Sequence, residues 1–391
     1  MRQLLELTID ALAAGGDGVG RAPDGRVVFV PFTAPGDHVR VRVTRSRSRF
    51  ARARVETLLA PGPRRVEPEC EAFGVCGGCR WQHLDYSLQV EAKARILSDA
   101  LERLGGLQIP ASVSITPSPA AYGYRIRSRL QVRGGQVGYR RARSHALCAV
   151  TRCPVLAPPL HAKLAEIAAR PPRQDGEWEL ALGSGQVRAS DLTKRGQPGR
   201  SIWLAAAGER VGMSPGVFTQ ANGLLLEALA NAVLEAAGTG DLALEVFAGA
   251  GLFTLALARR FGGVVAIESD PTAAADLGSN LRDAGIDRVQ VRCARLEAEI
   301  AAAGLRELRP DAVVLDPPRS GLPSGAAEFL AGLGAPRVVY LSCDPATLAR
   351  DLAAWVESGY RLERIEGFDL FPQTPHLEVL AVLLRADLSS A

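Results

Sequence analysis

Short runs of alternating apolar and polar residues, separated by glycine and proline, fill the first sixty positions of the chain. Leu5, Leu7 and Ile9 form one such run, and Val39, Val41 and Val43 form another. Alternation of this kind is typical of half-buried strands, and Gly-Gly and Pro-Gly pairs are typical of turns. The pattern therefore predicts a small β-barrel over residues 1–60.

From Gly240 onward the pattern changes to apolar strands that alternate with helices. Strands are predicted over 242–247, 264–268, 289–292, 311–316, 338–342, 362–368 and 379–384, with helices over 252–261 and 271–284. Such alternation indicates an α/β domain with a largely parallel sheet, whose ligands bind at the carboxyl ends of the strands. We assign this domain to residues 206–391 and a central, β-rich region to residues 61–205.

Composition and length narrow the class of protein. The chain has 391 residues, of which 47% are hydrophobic, so it is a globular protein of two or three domains at about 150 residues each. No stretch approaches the roughly 18 uncharged apolar residues of a membrane-spanning helix, and acids lie where a signal peptide needs an apolar core. We expect a cytoplasmic monomer that binds no membrane.

Charge is distributed unevenly along the chain. Residues 1–200 hold 31 Lys and Arg against 18 Asp and Glu, whereas residues 201–391 hold 15 against 24. Seven arginines lie between Arg40 and Arg54 with no acid among them, and further arginines alternate with tyrosines over 122–143. A solvated strand face would show the same pattern, but phosphate contacts and base stacking on Tyr122, Tyr124 and Tyr139 predict RNA as the partner.

Seven cysteines in a chain without a secretion signal favour thiol chemistry over disulfides. Cys70, Cys76 and Cys79 lie within ten residues, and Cys153 follows much later, just before a proline. This spacing suits a thiolate-bound metal centre; zinc and an iron-sulfur cluster both accept four sulfurs. Cys148 competes with Cys153 for the fourth position, and three unrelated buried cysteines are the alternative.

A glycine turn follows the first strand of the α/β domain. Gly249 and Gly251 allow a tight turn, but Thr254 stands where a dinucleotide fingerprint needs a third glycine. Glu268 ends the next strand, where its carboxylate can accept both hydroxyls of a ribose. This combination fits S-adenosylmethionine better than NAD, with a purely structural turn as the alternative.

Two later strand ends and the start of the last strand carry candidate catalytic groups. Asp316 lies on a proline-stiffened loop, and Cys343 lies just before a helix whose N-terminus favours thiolate. His376 and Glu378 are two positions apart and are expected on one face of the strand. A buried structural cysteine is the alternative for Cys343.

The motifs together resemble a known family. They are Gly15 to Gly20 with Val30-Pro31-Phe32, Phe218 to Asn222, Glu245 to Gly251, Asp316 to Gly321, Ser342 to Pro345 and His376 to Glu378. The first resembles the TRAM domain, a small RNA-binding barrel. The others, in this order, resemble the RNA uracil-5 methyltransferases, and the four cysteines resemble the ribosomal RNA branch with a 4Fe-4S cluster. The resemblance implies a class I, Rossmann-like methyltransferase domain preceded by a TRAM-like barrel and a central iron-sulfur and RNA-binding domain.

The same resemblance implies a role for individual residues. Its cofactor contacts are Gln220, Phe247, Glu268 and Asp316, its nucleophile is Cys343, its base is Glu378 and its cluster ligands are Cys70, Cys76, Cys79 and Cys153. S-adenosyl-L-methionine and the 4Fe-4S cluster are the implied cofactors. One departure is Leu252, because members of the family commonly carry an asparagine just after the second glycine of the turn.

Three other functions compete with uracil-5 methylation of 23S ribosomal RNA. Transfer RNA is an alternative substrate. Methylation of a cytosine or of an exocyclic amine is a second alternative, although amine methylation usually lacks a thiol and uses an Asn-Pro-Pro loop. An RNA-binding iron-sulfur protein without activity is the third, although both Cys343 and Glu378 are present.

Overall fold

The fold was obtained as a computed structural model that describes residues 3–109, 113–194, 199–302 and 304–386. The first five strands form a closed barrel in the order β1-β2-β3-β5-β4: β1 Leu4–Leu12, β2 Gly18–Arg21, β3 Val27–Val30, β4 His38–Ser46 and β5 Phe50–Ala60. Its core contains Leu7, Ile9, Val28, Val39 and Val41, each at most 4% exposed. The alternation of apolar residues thus correctly predicted the barrel.

The central region combines two helices with a five-stranded sheet. Its elements are α1 Tyr86–Arg103, β6 Ser114–Thr116, β7 Arg127–Arg133, β8 Gln136–Arg140, β9 Leu147–Ala149, α2 Pro158–Ala169, β10 Gly176–Gly183 and β11 Gln186–Asp191. The sheet has the order β11-β10-β7-β8-β9, and β6 lies outside it. A separate hairpin consists of β12 Ile202–Ala206 and β13 Glu209–Met213. It leads into the α/β domain and spans the predicted domain boundary at residue 205.

An eight-stranded sheet dominates the remainder of the chain. Its elements are α3 Leu226–Ala237, β14 Gly240–Val246, α4 Thr254–Ala258, β15 Phe261–Glu268, α5 Pro271–Asp283, β16 Val289–Cys293, α6 Leu296–Ala301, β17 Ala312–Leu315, α7 Ala326–Ala331, β18 Arg337–Ser342, α8 Pro345–Glu357, β19 Tyr360–Phe368 and β20 Glu378–Arg385. The strand order is β16-β15-β14-β17-β18-β20-β19-β6. Two hydrophobic clusters cover its two faces. The predicted α/β fold is confirmed, and β6 of the central region adds an edge strand beside β19.

One helix is shorter than the sequence pattern predicted. The apolar run over 252–261 suggested a continuous helix, but α4 ends at Ala258. Phe261 already pairs with Gly240 as the first residue of β15. A buried parallel strand and a buried helix are both apolar, so periodicity could not separate them here.

The 369–377 loop joins β19 to β20 and leads directly into Glu378. Nine residues are long for a connection between antiparallel neighbours, and this loop packs against the barrel and the central region. Gly16 of the barrel has φ +84°, and a Cβ there would lie 3.0 Å from Cγ of Pro375. The loop is therefore a contact point for all three parts of the molecule.

Candidate active site and cysteine site

Neighbouring strands bring four predicted site residues to one edge of the large sheet. β14, β15, β17 and β18 are parallel, so their carboxyl ends lie together. Phe247 follows β14, Glu268 ends β15, Asp316 follows β17 and Cys343 follows β18. The sequence predicted this grouping because each residue stands directly after an apolar strand.

The glycine turn is held by the carboxylate of Glu268. Its oxygens accept hydrogen bonds from the amides of Gly249 at 2.8 Å and Asp270 at 2.7 Å. Gly251 has φ +97°, and a Cβ there would lie 2.5 Å from a Leu277 methyl group. Glycine is therefore required at this position, and Glu268 stabilises the turn through its hydrogen bonds.

Gln220, one of the predicted cofactor contacts, carries a buried polar atom without a partner. Gln220 is 3% exposed, and its Oε1 atom accepts no hydrogen bond from any described residue. Such an acceptor is costly to bury unless a ligand supplies the donor. Phe247 lines a cavity of about 330 Å³ beside the turn, together with Ser269 and Arg295. The residues present thus fit a nucleoside cofactor.

Leu252, which replaces the expected asparagine, is partly buried against the core. A different side-chain amide contacts the turn: Nδ2 of Asn280 donates to the carbonyl oxygen of Ala250 at 2.9 Å. Asn280 lies in α5, is 1% exposed and also bonds to Gly212. Asn280 could not be predicted, because nothing in the sequence pattern of α5 distinguishes it from an ordinary polar position of a helix.

Cys343 is partly buried just before α8, which is capped by Asp344. Cys343 thus stands at the N-terminus of a helix, as the sequence predicted, but other groups determine the direction of its pKa shift. Burial raises the pKa of Cys343 to about 11, the Glu378 carboxylate raises it further, and Arg319 opposes the shift. Desolvation and the neighbouring carboxylate thus disfavour the thiolate.

Glu378 and Asp316 are two carboxyl groups whose charges both act on Cys343. Burial raises the pKa of Asp316 to about 7. Burial and the Asp316 charge raise the pKa of Glu378 well above its ordinary value, while Arg319 opposes this. Arg319 is therefore the cation shared by the thiol and the carboxyl group. Its place three residues after Asp316 is the sequence signal that puts Arg319 at the same strand end.

His376 lies between two cavities beside the nucleophile candidate. One, of about 580 Å³, is also lined by Arg319 and Phe218; the other, of about 310 Å³, is also lined by Cys343 and Lys93. Burial lowers the pKa of His376 to about 4, and the charges of Arg319, Lys93 and Arg80 lower it further. The imidazole is therefore neutral at physiological pH and can donate one hydrogen bond.

The four predicted ligand cysteines line the larger cavity. Burial raises the pKa of Cys76 to about 11 and that of Cys79 to about 12, and the other thiols contribute to both shifts. Cys148 also lies near Cys76 but is 5% exposed and does not line this cavity. Within the described ranges no three His, Cys, Asp or Glu side chains form a ready metal site.

Two predictions about RNA contacts need correction. Tyr124 is 1% exposed, and its hydroxyl donates to the carbonyl oxygen of Pro372 at 2.8 Å, so its ring cannot stack on a base. The arginines of β4 and β5 are not all available for phosphates either. Four of them form ion pairs with acids from other positions: Arg40 with Glu6, Arg42 and Arg54 with Glu56, and Arg52 with Asp17. Arg45, Arg47 and Arg49, at the hairpin tip, are exposed and form no ion pair with a described residue.

No helix within the described residues combines the length and the apolar character that crossing a bilayer would require.

Comparison with known proteins places these features in a family. The model of the tRNA (Uracil-5-)-methyltransferase family matches residues 212–386, and that of the TRAM domain matches residues 2–55. The 23S rRNA (uracil(1939)-C(5))-methyltransferase RlmD of Alkalilimnicola ehrlichii is 35% identical, over 98% of this chain and 97% of that protein. The corresponding protein of Edwardsiella ictaluri is 33% identical over 98% and 97%.

A solved structure agrees over the whole chain. The Pyrococcus abyssi tRNA (uracil-54, C5)-methyltransferase, in complex with S-adenosyl-L-homocysteine, matches with a TM-score of 0.75 and 25% identity, over 98% of this chain and 100% of that one. The predicted TRAM domain and class I methyltransferase fold are thereby confirmed. The chain belongs to the RNA uracil-5 methyltransferase family, and its activity is the S-adenosylmethionine-dependent methylation of carbon 5 of uracil.

Proposed function

We propose that Cys343 is the nucleophile of this reaction and Glu378 its base. The observation that carries the proposal is the convergence of Cys343, Glu378 and Arg319: Glu378 and Arg319 both shift the pKa of Cys343, and Arg319 also shifts that of Glu378. Perturbed titratable groups of this kind gather at catalytic sites. Arg319 lowers the pKa of both acids and so favours the anions that the reaction needs.

The chemistry requires both groups. Carbon 5 of uracil is too weakly nucleophilic to attack a methyl sulfonium, so the Cys343 thiolate first adds to carbon 6 and moves the ring electrons onto O4 as an enolate. S-adenosylmethionine supplies the methyl group, which carbon 5 takes up. Glu378 then removes the proton from carbon 5, the double bond re-forms and the bond between sulfur and carbon 6 breaks. The raised pKa of Glu378 makes its carboxylate a stronger base for this carbon acid.

Trapping experiments separate the two roles. Cys343→Ala is expected to abolish methylation but to retain RNA binding, whereas Glu378→Gln is expected to accumulate methylated RNA joined to the protein, because elimination lacks a base. RNA containing 5-fluorouridine should trap the wild-type protein on a denaturing gel but not Cys343→Ala. Cys293→Ala, at an exposed thiol outside the site, is the matched control. Methylation by Cys343→Ala would refute the assignment.

We infer that Gln220, Phe247, Glu268 and Asp316 contact S-adenosylmethionine. The unpaired Oε1 atom of Gln220 supports the first contact. Gln220→Met removes this acceptor without breaking a side-chain hydrogen bond to that atom, so it should weaken binding of S-adenosylhomocysteine about tenfold while the protein stays folded. Calorimetry measures this change, with Gln186→Met on exposed β11 as the control. Unchanged affinity would exclude Gln220 from the site.

We propose that Cys70, Cys76, Cys79 and Cys153 bind a 4Fe-4S cluster. Four thiols that face one partly enclosed cavity supply the all-sulfur donor set that such clusters use. Anaerobically purified protein should contain about four irons and absorb visible light. Cys153→Ser should lower the iron content, whereas Cys148→Ser should leave it unchanged. Stoichiometric zinc without iron would overturn the proposal.

We infer that the substrate is 23S ribosomal RNA, because this chain is similar to the RlmD proteins of two bacteria over nearly the whole length of each protein. Transfer RNA is the second candidate, since the structural relative from Pyrococcus abyssi is named as a tRNA methyltransferase. Ribosomal RNA as substrate also supports a cytoplasmic location for the enzyme. Mapping 5-methyluridine in both RNA classes from cells that lack the protein decides between them: loss from 23S RNA supports the proposal, and loss from transfer RNA alone refutes it.

A further inference from the structure

The 369–377 loop, which leads into Glu378, is held by groups from distant parts of the chain. The carbonyl oxygen of Pro372 accepts from the Tyr124 hydroxyl at 2.8 Å. The carbonyl oxygen of Gln373 accepts from the amides of Arg80 and Trp81 at 2.9 and 3.0 Å. Gln373 has φ +69°, a left-handed conformation that a non-glycine residue keeps only where its surroundings enforce it. The loop conformation is therefore imposed from outside.

Helix α1 adds further hydrogen bonds to the loop through two buried side chains, Gln89 and Lys93. Gln89 and Gln373 exchange hydrogen bonds: the amide of Gln373 donates to Oε1 of Gln89 at 2.8 Å, and Nε2 of Gln89 donates to Oε1 of Gln373 at 3.0 Å. One turn later, Nζ of Lys93 donates to Oδ1 of Asp369 at 2.5 Å and to the carbonyl oxygen of Phe371 at 3.1 Å. Helix α1 thus grips the loop at both its start and its middle.

The ion pair between Lys93 and Asp369 is completely buried, with both side chains 0% exposed. Two apolar residues of similar size would often stabilise a protein as well as such a pair does, because desolvating both charges is costly. What the pair adds is direction, since Lys93 must point at one carboxylate oxygen and one carbonyl oxygen. Lys93 also lines the cavity that contains Cys343 and His376, so this direction is fixed next to the reacting groups.

We propose that Lys93 is a positioning residue: through Asp369 and the Phe371 carbonyl it fixes the 369–377 loop so that Glu378 meets the proton on carbon 5. The inference rests on the base role proposed for Glu378. Cys343 is placed by β18 and α8, not by this loop. Loss of the pair therefore slows the release of methylated RNA more than it slows the formation of the covalent adduct.

The double variant Lys93→Met, Asp369→Asn tests this inference. Methionine keeps the length of the stem, and asparagine keeps an acceptor for the Phe371 amide, which donates to Oδ1 of Asp369 at 3.2 Å. We expect affinity for S-adenosylhomocysteine and formation of the 5-fluorouridine adduct within about twofold of wild type. We expect kcat to fall at least tenfold with little change in KM, and methylated RNA joined to protein to accumulate on a denaturing gel. A purely structural role would not change this partition, which is the ratio between formation of the covalent adduct and release of methylated RNA.

Two further variants serve as controls for the Lys93/Asp369 double variant. Arg259→Met with Glu209→Gln neutralises an ion pair of the same domain and should release product at the wild-type rate. Glu378→Gln must trap methylated RNA; if it does not, the proposed role of Glu378 fails. If Glu378→Gln traps RNA while the folded Lys93/Asp369 variant releases it normally, the inference about Lys93 alone is refuted. Should the double variant not fold, Asp369→Asn alone is judged by the same partition.

Discussion

The reactivity of Cys343 depends on a balance between burial and two opposite charges. With its pKa raised to about 11, only about one thiol in ten thousand is ionised at pH 7 in the protein without ligands. Arg319 is the group that opposes this shift. The arginine therefore determines how much of the nucleophile is available.

Replacing Arg319 by methionine should slow the alkylation of Cys343 about three- to tenfold at pH 8. The reason is that loss of the cation raises the pKa of the thiol further, and only the thiolate reacts. Mass spectrometry of the Cys343 peptide after treatment with iodoacetamide measures the rate. Exposed Cys293 in the same sample is the internal control. An unchanged ratio of the two rates would show that Arg319 does not act on the thiol.

Glu245 should make the stability of the cofactor-free protein depend on pH. Burial raises its pKa to about 8, and the Asp316 and Glu268 carboxylates add to the shift. Between about pH 4.5 and 8 the folded protein keeps a proton that the unfolded chain has lost, so stability falls as pH rises through this window. Glu245→Gln removes this loss and should gain on the order of 3 kcal/mol over wild type between pH 5 and pH 9. Urea unfolding measures it, with exposed Glu235→Gln as the control. A constant difference between variant and wild type would contradict the assignment.

At the scale of elements, the hairpin of β4 and β5 carries exposed arginines at its tip, which we expect to bind RNA, and ion-paired arginines along its strands, which we expect to bind it less. Replacing Arg45, Arg47 and Arg49 together by alanine should weaken RNA binding and reduce the slope of log K against log salt by about 2, because each phosphate contact on single-stranded RNA contributes about 0.7. The matched set Arg40, Arg42 and Arg54, which is already paired with acids, should change the slope less. Filter binding at several salt concentrations measures both. Equal slopes for the two sets would refute this division.

The strands and the grouping of Glu268, Asp316 and Cys343 were predictable from sequence, because apolar runs and the residues that follow them are local features. The paired arginines were not, since Glu6 reaches Arg40 from the neighbouring strand β1 and Asp17 reaches Arg52 from the turn between β1 and β2. Burial of Tyr124 was missed for a related reason: its partner, Pro372, lies 248 residues away. The contacts of Lys93 and Asn280 were also beyond the sequence pattern. Local alternation reports the face of a strand but not what covers that face.

At the scale of the whole molecule, Trp81 joins the barrel, the cysteine segment and the 369–377 loop. It is fully buried, and its Nε1 atom donates to the carbonyl oxygen of Gly16 at 3.0 Å. Its backbone amide binds the carbonyl oxygen of Gln373. Because Trp81 follows Cys79 by only two residues, one short stretch of chain carries both a proposed cluster ligand and a contact to the 369–377 loop.

Trp81→Ala should cost about 3 to 5 kcal/mol, as expected for deleting a large buried ring, and should loosen the barrel from the rest of the protein. Trp81→Phe, which loses mainly the hydrogen bond to Gly16, should cost about 1 kcal/mol. Urea unfolding and limited proteolysis between the barrel and α1 measure the two effects. Trp203→Ala, at a partly exposed ring between Arg200 and Arg210, should leave the proteolysis pattern unchanged. Faster cleavage in that control would show that the effect is not specific to Trp81.

The distance along the chain between α1 and the 369–377 loop has a consequence for biosynthesis. Gln89 and Gln373 are 284 positions apart, and Lys93 and Asp369 are 276 apart, whereas the barrel closes within residues 4–60. A chain emerging from the ribosome in order can therefore fold its barrel early. The side chains of Gln89 and Lys93 have to wait for partners that are made 284 and 276 positions later. In a nascent chain the barrel can thus fold well before the contacts that hold the 369–377 loop are able to form.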